Sequence, residues 1–186
     1  VLDGRDTLTT LRYESWEEQV AYIPQDPTIF HASLRENLTF YNPQASDERL
    51  HAVIEKLGLS ELLAQLPQGL DTLIGEGARG LSGGQAQRIA LARVLLDERK
   101  RIILFDEPTA HLDIETEMEL KQVMVEVMQG RLVVFATHRL HWLDTLDYLL
   151  VLEEGKLVEQ GTTTQLLESA THFATLVRAL RGGEAA

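Results

Sequence analysis

Residues 81–85 read LSGGQ and stand directly before a helical pattern. Two glycines let the main chain approach an anion closely, and the N–H groups at the start of a helix attract negative charge. Ser82 adds a hydroxyl group that can donate a hydrogen bond. The stretch therefore predicts a phosphate-binding loop, and a simple helix N-cap at Ser82 is the alternative.

Two further stretches end apolar runs on polar residues. RIILFDEP ends on Asp106 and Glu107, two adjacent carboxylates that repel each other unless a cation or a reacting water occupies the site. RLVVFATH ends on His138. An exposed turn is the alternative for the two acids, and a structural role is the alternative for the histidine. We expect all three side chains at one functional edge of a sheet.

The elements that must position these residues alternate between strands and helices. Both apolar runs are rich in β-branched residues, which is typical of buried strands in a parallel sheet with function at their carboxyl ends. YLLVLEEGKLVEQG predicts a hairpin that turns at Glu154 and Gly155. The predicted fold class is α/β, a layered fold with a mainly parallel central sheet and a small helical subdomain that includes residues 47–66. Helical spacing of apolar residues covers residues 46–57, 84–96, 114–128 and 163–180.

The composition is that of an ordinary globular protein and argues against several classes. Lys and Arg number 17 against 29 Asp and Glu, a formal net charge of −12 that opposes non-specific binding of nucleic acid or anionic lipid. The 186 residues include no cysteine, which excludes disulfides and thiolate metal sites. A phosphate group must therefore be bound by local features of a mostly acidic chain.

Five motifs in a fixed order resemble the nucleotide-binding domain of ATP-binding cassette (ABC) transporters, from residue 1 to about residue 180. LSGGQ matches the signature motif of that family, IILFDE resembles Walker B, and AHLD at 110–113 resembles the D-loop. AYIPQDPTIF places Gln25 at the Q-loop glutamine, and His138 stands at the switch histidine. The long coiled coil of SMC-like ATPases has no room between Gln25 and the signature.

The resemblance implies ATP and Mg²⁺ as cofactors and a role for each motif residue. Asp106 would hold Mg²⁺, Glu107 would act as the general base, and His138 would bind the γ-phosphate. Gln25 would contact both Mg²⁺ and the attacking water. The signature residues would close over ATP held by a partner's Walker A loop. The candidate nucleotide-binding residues are Gln25, Ser82, Gly83, Gly84, Gln85 and Asp113.

Other stretches resemble exporters whose membrane and nucleotide domains share one chain. GEGARG at 75–80 resembles the segment before the signature, where Glu76 and Arg79 would face the membrane domains. PTAHLDIETE, with His111, and ATHRLHWLDTLDYLLVLEEGKLVEQGT resemble the CydD-type subunit of the bacterial thiol-reductant (cysteine and glutathione) exporter, which supports cytochrome bd assembly. The resemblance implies a CydC-like second subunit, with a homodimer as the alternative, at the cytoplasmic face of the bacterial inner membrane.

One family motif is missing, because no GxxxxGK[ST] Walker A string occurs and VLDGRDT resembles the segment that follows it. We therefore expect a P-loop NTPase-like fold without the Walker A strand, from a chain truncated at its N terminus. Such a chain alone should bind no Mg-ATP. The alternatives are another ABC exporter, for lipid, peptide or drug, and an inactive binding or dimerisation module. The expected parts are a helical subdomain at 32–96, a Walker B and H-loop core at 97–161, and a C-terminal helix and tail at 162–186.

Overall fold

The computed structural model describes residues 16–75, 80–168 and 172–183, with side chains in the last range described to residue 178. The chain divides into two compact units, Val1–Ala136 and Thr137–Ala186. VLDGRDT, Glu76 and Arg79 lie outside the described residues, so their predicted roles stay predictions. Among the described residues, no helix is long and apolar enough to cross a membrane.

The first unit contains five strands and five α-helices among its described residues. In chain order they are β1 (Val20–Ile23), β2 (Ala32–Ser33), α1 (Leu34–Leu38), α2 (Asp47–Lys56), α3 (Ser60–Ala64), β3 (Leu73–Ile74), α4 (Gly83–Leu95), β4 (Ile102–Asp106), α5 (Ile114–Met128) and β5 (Leu132–Ala136). A short 3-10 helix, Gly69–Asp71, precedes β3. The predicted helices at 46–57, 84–96 and 114–128 are confirmed within one residue at each end.

The central sheet is parallel and has the strand order β1-β4-β5. Strand β4 lies in the middle, where Ile103 and Phe105 are buried, so the burial predicted for RIILFDEP is confirmed. The burial predicted for RLVVFATH is wrong, since Leu132 and Val134 on β5 are 61% and 56% exposed. Val134 lies in register with Leu104 and Tyr22 on one face of the sheet, and Tyr22 is also 51% exposed, so the described residues leave that face partly uncovered.

Between β1 and the signature stretch, the chain forms a layer of short helices. Helix α2 begins at the N-cap Ser46 and buries Leu50, Val53 and Ile54, which recur at the three- and four-residue spacing of one helix face. Helix α3 follows it, so the predicted helical insert at 47–66 is confirmed. The strands β2 and β3 form a small antiparallel pair beside this layer. The subdomain boundaries at 32–96 stay a prediction.

Helix α4, which follows LSGGQ, is fixed to the helical layer through Arg93. The Arg93 guanidinium donates to the Asn37 carbonyl at 2.8 Å, to Asn37 Oδ1 at 3.1 Å and to the Thr28 carbonyl at 2.9 Å. It also lies over the Phe30 and Phe40 rings, 5.3 Å and 5.4 Å from their centroids. Burial lowers the pKa of Arg93 from its ordinary value. Carbonyl oxygens and aromatic faces thus replace water around this cation.

The second unit consists of a 3-10 helix (Leu140–Thr145), strands β6 (Leu149–Glu153) and β7 (Lys156–Gly161), and helices α6 (Thr163–Glu168) and α7 (His172–Gly183). Its apolar core contains Leu143, Leu149, Leu166, Phe173 and Val177. The predicted hairpin is confirmed, with positive φ angles of 48° at Glu154 and 74° at Gly155. Such a pair of angles is typical of a type I′ turn.

The single helix predicted at 163–180 is described as the two helices α6 and α7, and the residues between them lie outside the described ranges. A local cause for the start of α7 is visible. The two carboxylate oxygens of Glu159 accept hydrogen bonds from the backbone N–H groups of His172 and Phe173, each at 2.8 Å. This carboxylate satisfies two N–H groups that a helix leaves without an internal partner.

Candidate active site

Asp106 is the last residue of β4, so the central strand of the parallel sheet delivers its carboxylate to the carboxyl end of that sheet. The side chain is exposed, and Tyr22 on the neighbouring strand β1 donates its hydroxyl hydrogen to Asp106 Oδ2 at 2.8 Å. That hydrogen bond raises the pKa of Tyr22, because the phenol would lose a favourable contact on ionising beside a carboxylate. Tyr22 therefore orients the candidate magnesium ligand.

Glu107 follows Asp106 in an uncommon backbone conformation. Its φ angle is 44°, in the left-handed region that non-glycine residues rarely occupy. The Glu107 N–H donates to the Ala136 carbonyl at 2.9 Å, and the Glu107 carbonyl accepts from the Ala110 N–H at 3.1 Å. These two bonds hold the main chain in the turn. Strained residues that the surroundings hold in place are concentrated at functional sites, which is consistent with a catalytic role for Glu107.

Oxygen ligands of the kind that Mg²⁺ prefers are present here, although the described part of the chain forms no complete protein cage. Among the described residues, no group of three or more His, Cys, Asp or Glu side chains is arranged to hold a metal ion. Magnesium sites that use a nucleotide need only one or two carboxylates, since phosphates and water supply the other ligands. The exposed Asp106 carboxylate fits that arrangement.

Ser82 and Gln85 form a capping box at the start of α4. Ser82 Oγ accepts from the Gln85 N–H at 3.2 Å, and Gln85 Oε1 accepts from the Ser82 N–H at 3.0 Å. The N-cap that the sequence offered as an alternative is therefore present. It does not conflict with phosphate binding, because the cap uses oxygen acceptors and leaves the hydroxyl hydrogen and the amide nitrogen as donors.

The two signature glycines differ in the space that a side chain would have at each position. A Cβ atom on Gly84 would lie 2.9 Å from Thr116 Cγ2 on α5, so the absence of a side chain at Gly84 lets α4 and α5 approach each other. A Cβ atom on Gly83 would lie 3.5 Å from Leu112, an ordinary contact distance. Gly83 is also exposed. Of the two, Gly83 is the one whose main chain is open to a ligand.

Asp113 is engaged locally as the N-cap of α5. Its Oδ1 accepts from the Thr116 N–H at 2.9 Å, and its Oδ2 accepts from the Thr116 hydroxyl at 2.8 Å. The backbone hydrogen bond from Thr116, followed by the side-chain bond, lowers the pKa of Asp113. Its predicted contact with nucleotide stays a prediction, and the structure adds a capping role.

Gln25 is held from two sides. Its Nε2 lies 2.7 Å from His111 Nε2 in the D-loop. The buried amide of Gln87 on α4 donates to the main-chain carbonyls of Pro24 at 3.2 Å and of Gln25 at 2.9 Å. A cavity of about 90 Å³ lies beside them, lined partly by Asp26. The Q-loop, the D-loop and the signature helix thus meet around Gln25.

His138 lies two residues after the end of β5 and belongs to the second unit, with an exposed side chain. Its predicted action beside Glu107 stays a prediction.

Sequence reasoning did not find Tyr22 and Gln87 as parts of the site. Tyr22 had no usable signal, because its strand β1 has only four residues and pairs with the strand that ends in Asp106, which lies far along the chain. The role of Gln87 depends on a fold in which α4 passes the Q-loop.

Several curated proteins are similar to this chain. The Glutathione/L-cysteine transport system ATP-binding/permease protein CydC of Bacillus subtilis (strain 168) is 50% identical over 171 residues, covering 92% of this chain and 30% of the relative. The CydC protein of Escherichia coli (strain K12) is 37% identical, covering 90% and 29%. The leukotoxin translocation ATP-binding protein LktB of Mannheimia glucosida is 36% identical, covering 97% and 25%. The chain thus spans about a third or less of the length of these relatives.

A solved structure of a bacterial Atm1-family ABC exporter with ATP bound is similar in fold. It superposes with a TM-score of 0.80 at 32% sequence identity, covering 93% of this chain and 30% of that one. The predicted α/β class with a parallel central sheet is confirmed by this likeness. The profile of the ABC transporter family matches residues 1–110. Sequence and fold agree, and the chain belongs to the ABC transporter family.

Proposed function

We propose that the chain acts as the ATP-binding part of an ABC exporter and takes part in hydrolysis of Mg-ATP. The observation that carries the proposal is the end of β4, where Asp106 projects from the central strand and Glu107 follows in a strained, hydrogen-bonded turn. Phosphoryl transfer to water needs little covalent chemistry from a protein and relies on positioning and electrostatics. An oriented carboxylate beside a second carboxylate at a sheet end can supply both.

The proposed roles divide the chemistry among a few side chains. Asp106, oriented by Tyr22, holds the metal, and Glu107 accepts a proton from the attacking water. Gln25 helps to place that water, and His138, on the strength of its motif, donates to the γ-phosphate. Bound Mg²⁺ supplies positive charge that offsets the charge developing on the phosphate oxygens.

The signature stretch acts on a second nucleotide in this proposal. Ser82 and Gln85 present donors at the start of α4, where the helix dipole also favours an anion. Contact with ATP bound to another subunit would complete that second site. The proposed assembly is therefore a dimer of ATP-binding domains, with a membrane part that carries the exported compound.

The finer proposal is export of cysteine or glutathione at the inner membrane of a bacterium, in support of cytochrome bd assembly. Two of the similar proteins are named as glutathione and L-cysteine transport proteins, and both names are CydC. The CydD-type resemblance in the sequence rests on His111, His141 and Trp142. We therefore propose a subunit of a thiol exporter. The identity of the partner with which the chain assembles would distinguish a CydC-type from a CydD-type subunit.

The test replaces Glu107 by Gln in the exporter subunit that carries this sequence, assembled with its partner. An amide cannot accept the proton from water, so ATP hydrolysis should fall about 10²- to 10⁴-fold while ATP binding is retained. Glu154→Gln, an acid with the same left-handed backbone in the hairpin turn, is the control and should hydrolyse ATP normally. Turnover by Glu107→Gln close to wild type would remove Glu107 from the mechanism.

Substrate identity needs a separate measurement. Inverted membrane vesicles that contain the assembled exporter should take up labelled cysteine or glutathione when ATP is added. Uptake should be abolished by Glu107→Gln. Vesicles that hydrolyse ATP without taking up either thiol would favour another exporter class, since a toxin translocation protein is also among the relatives.

A further inference from the structure

We propose that His111 is a positioning residue for Gln25, which fixes the end of the Gln25 side-chain amide that faces the metal site. The proposal rests on the proposed function, in which Gln25 contacts Mg²⁺ and the attacking water. It goes beyond that function by giving a task to a D-loop residue to which the proposed function assigns none. Two observations carry the proposal. The side chains of Gln25 and His111 are hydrogen-bonded, and the Gln87 amide holds the main chain at Gln25.

A carboxamide has two ends of nearly the same shape and opposite chemistry. Its oxygen can bind a cation, whereas its nitrogen is only a donor. Here Gln25 Nε2 lies 2.7 Å from His111 Nε2, and since the amide nitrogen donates, the imidazole nitrogen accepts. In the tautomer with its proton on Nδ1, His111 keeps the nitrogen end at the D-loop and leaves Oε1 as the end available to a cation.

The main chain of the Q-loop is fixed by contacts that do not involve His111. One side-chain hydrogen bond is therefore sufficient to orient the Gln25 amide. The Gln87 amide, 4% exposed, donates to the carbonyls of Pro24 and Gln25. With its Cα atom held by α4, Gln25 retains mainly side-chain freedom, and His111 removes part of that freedom. Side chains that bond to a metal-contacting group in this way fix its orientation toward the metal.

Among the described residues, Asp26 also lies close to His111. Its Oδ2 lies 3.6 Å from His111 Nε2, which is too long for a hydrogen bond. The Asp26 side chain is 85% exposed, so water screens its charge and the 2.7 Å contact with Gln25 is the stronger interaction. The His111 side chain is itself 57% exposed. We therefore expect effects of the size of one net hydrogen bond, about three- to tenfold.

The first measurement examines the bond without nucleotide. In the ¹⁵N-labelled chain, long-range ¹H–¹⁵N spectra should show His111 Nε2 without a proton, and Gln25→Ala should shift that signal. The signals of His51, an exposed histidine on α2, should not change and serve as the control. A protonated Nε2 on neutral His111 in the wild-type chain, or no change in Gln25→Ala, overturns the proposal.

The second measurement uses the assembled exporter and the Mg²⁺ concentration that gives half-maximal ATP hydrolysis. His111→Ala should raise that concentration about three- to tenfold. His111→Gln, whose amide oxygen can accept, should restore it, whereas His111→Lys, which only donates, should not. Equal values for His111→Gln and His111→Lys overturn the proposal.

A double-mutant cycle separates a positioning role from a general structural role. If His111 acts through Gln25, His111→Ala adds nothing to the effect of Gln25→Ala, whereas independent roles give additive effects that overturn the proposal. Failure of the proposed function is distinguishable, because it would appear as absent ATP hydrolysis in the wild-type exporter. The spectra of the chain would still decide whether the His111 bond exists.

Discussion

The left-handed conformation of Glu107 predicts that function and stability conflict at this residue. Glycine adopts a φ angle of 44° without a steric penalty, whereas glutamate and alanine do not. We therefore expect Glu107→Gly to be more stable than Glu107→Ala. Both substitutions remove the carboxylate, so the comparison isolates the backbone from lost side-chain contacts.

The magnitude follows from two opposing contributions to the free energy of unfolding. A residue with a Cβ atom in the left-handed region is destabilised by about 1–2 kcal/mol. Glycine loses more backbone freedom on folding, which offsets about 0.5–1 kcal/mol of that gain. The midpoints of these two ranges differ by about 0.75 kcal/mol in favour of Glu107→Gly. In a chain of 186 residues this corresponds to about 1–4 °C in Tm.

The assay is thermal unfolding of both variants under one set of conditions, alongside the same pair of substitutions at Glu154. Glu154 has a φ angle of 48° in a hairpin turn remote in sequence from the acidic pair, so Glu154→Gly should also unfold at a higher temperature than Glu154→Ala. ATP hydrolysis should be lost only in the Glu107 variants. If the Glu154 pair shows the difference and the Glu107 pair does not, the strain argument for Glu107 is wrong.

Three further predictions concern single side chains. Ser82→Arg should leave Mg-ATP bound to the subunit but block nucleotide-driven crosslinking to the second ATP-binding domain, and normal crosslinking would contradict the role of the signature. Tyr22→Phe should raise the Mg²⁺ requirement of ATP hydrolysis about tenfold with little change in Tm, because it removes the donor that orients Asp106. The pKa of Asp113 is lowered in the folded chain, so its stabilising effect is present above its unfolded pKa of about 3.9 and is lost as pH falls through the folded value. The Tm of Asp113→Asn should therefore fall less than that of wild type between about pH 5 and about pH 2, and parallel curves would refute this.

The long elements were predictable because local signals agree there. Helix α5 begins after the N-cap Asp113 and ends at Met128, as its apolar spacing predicted. The hairpin was readable from Glu154 and Gly155. Strand β1 was missed, since its four residues are too few to show a period. Short elements depend on the neighbours with which they pair, and a local pattern does not contain that information.

The chemistry of the site was predictable in residue type and less so in geometry. Asp106 and Glu107 could be identified as a pair, but nothing in the residue types predicts a positive φ angle at Glu107. The contact of Gln25 with His111 joins residues 86 positions apart, and that of Tyr22 with Asp106 joins residues 84 positions apart. Contacts of this range come from the register of the sheet and the course of the loops.

The hydrogen bonds of Arg93 also bear on how the chain reaches its native state during synthesis. Arg93 bonds to Asn37 and Thr28, which precede it by 56 and 65 residues. Contacts over such separations form slowly, because a long loop must close before they contribute. A nascent chain must therefore wait for α4 before the segment that holds Thr28 and Asn37 is fixed, and until then chaperones and proteases can reach that segment. Selection on Arg93 should accordingly act on the yield of mature protein as well as on its turnover.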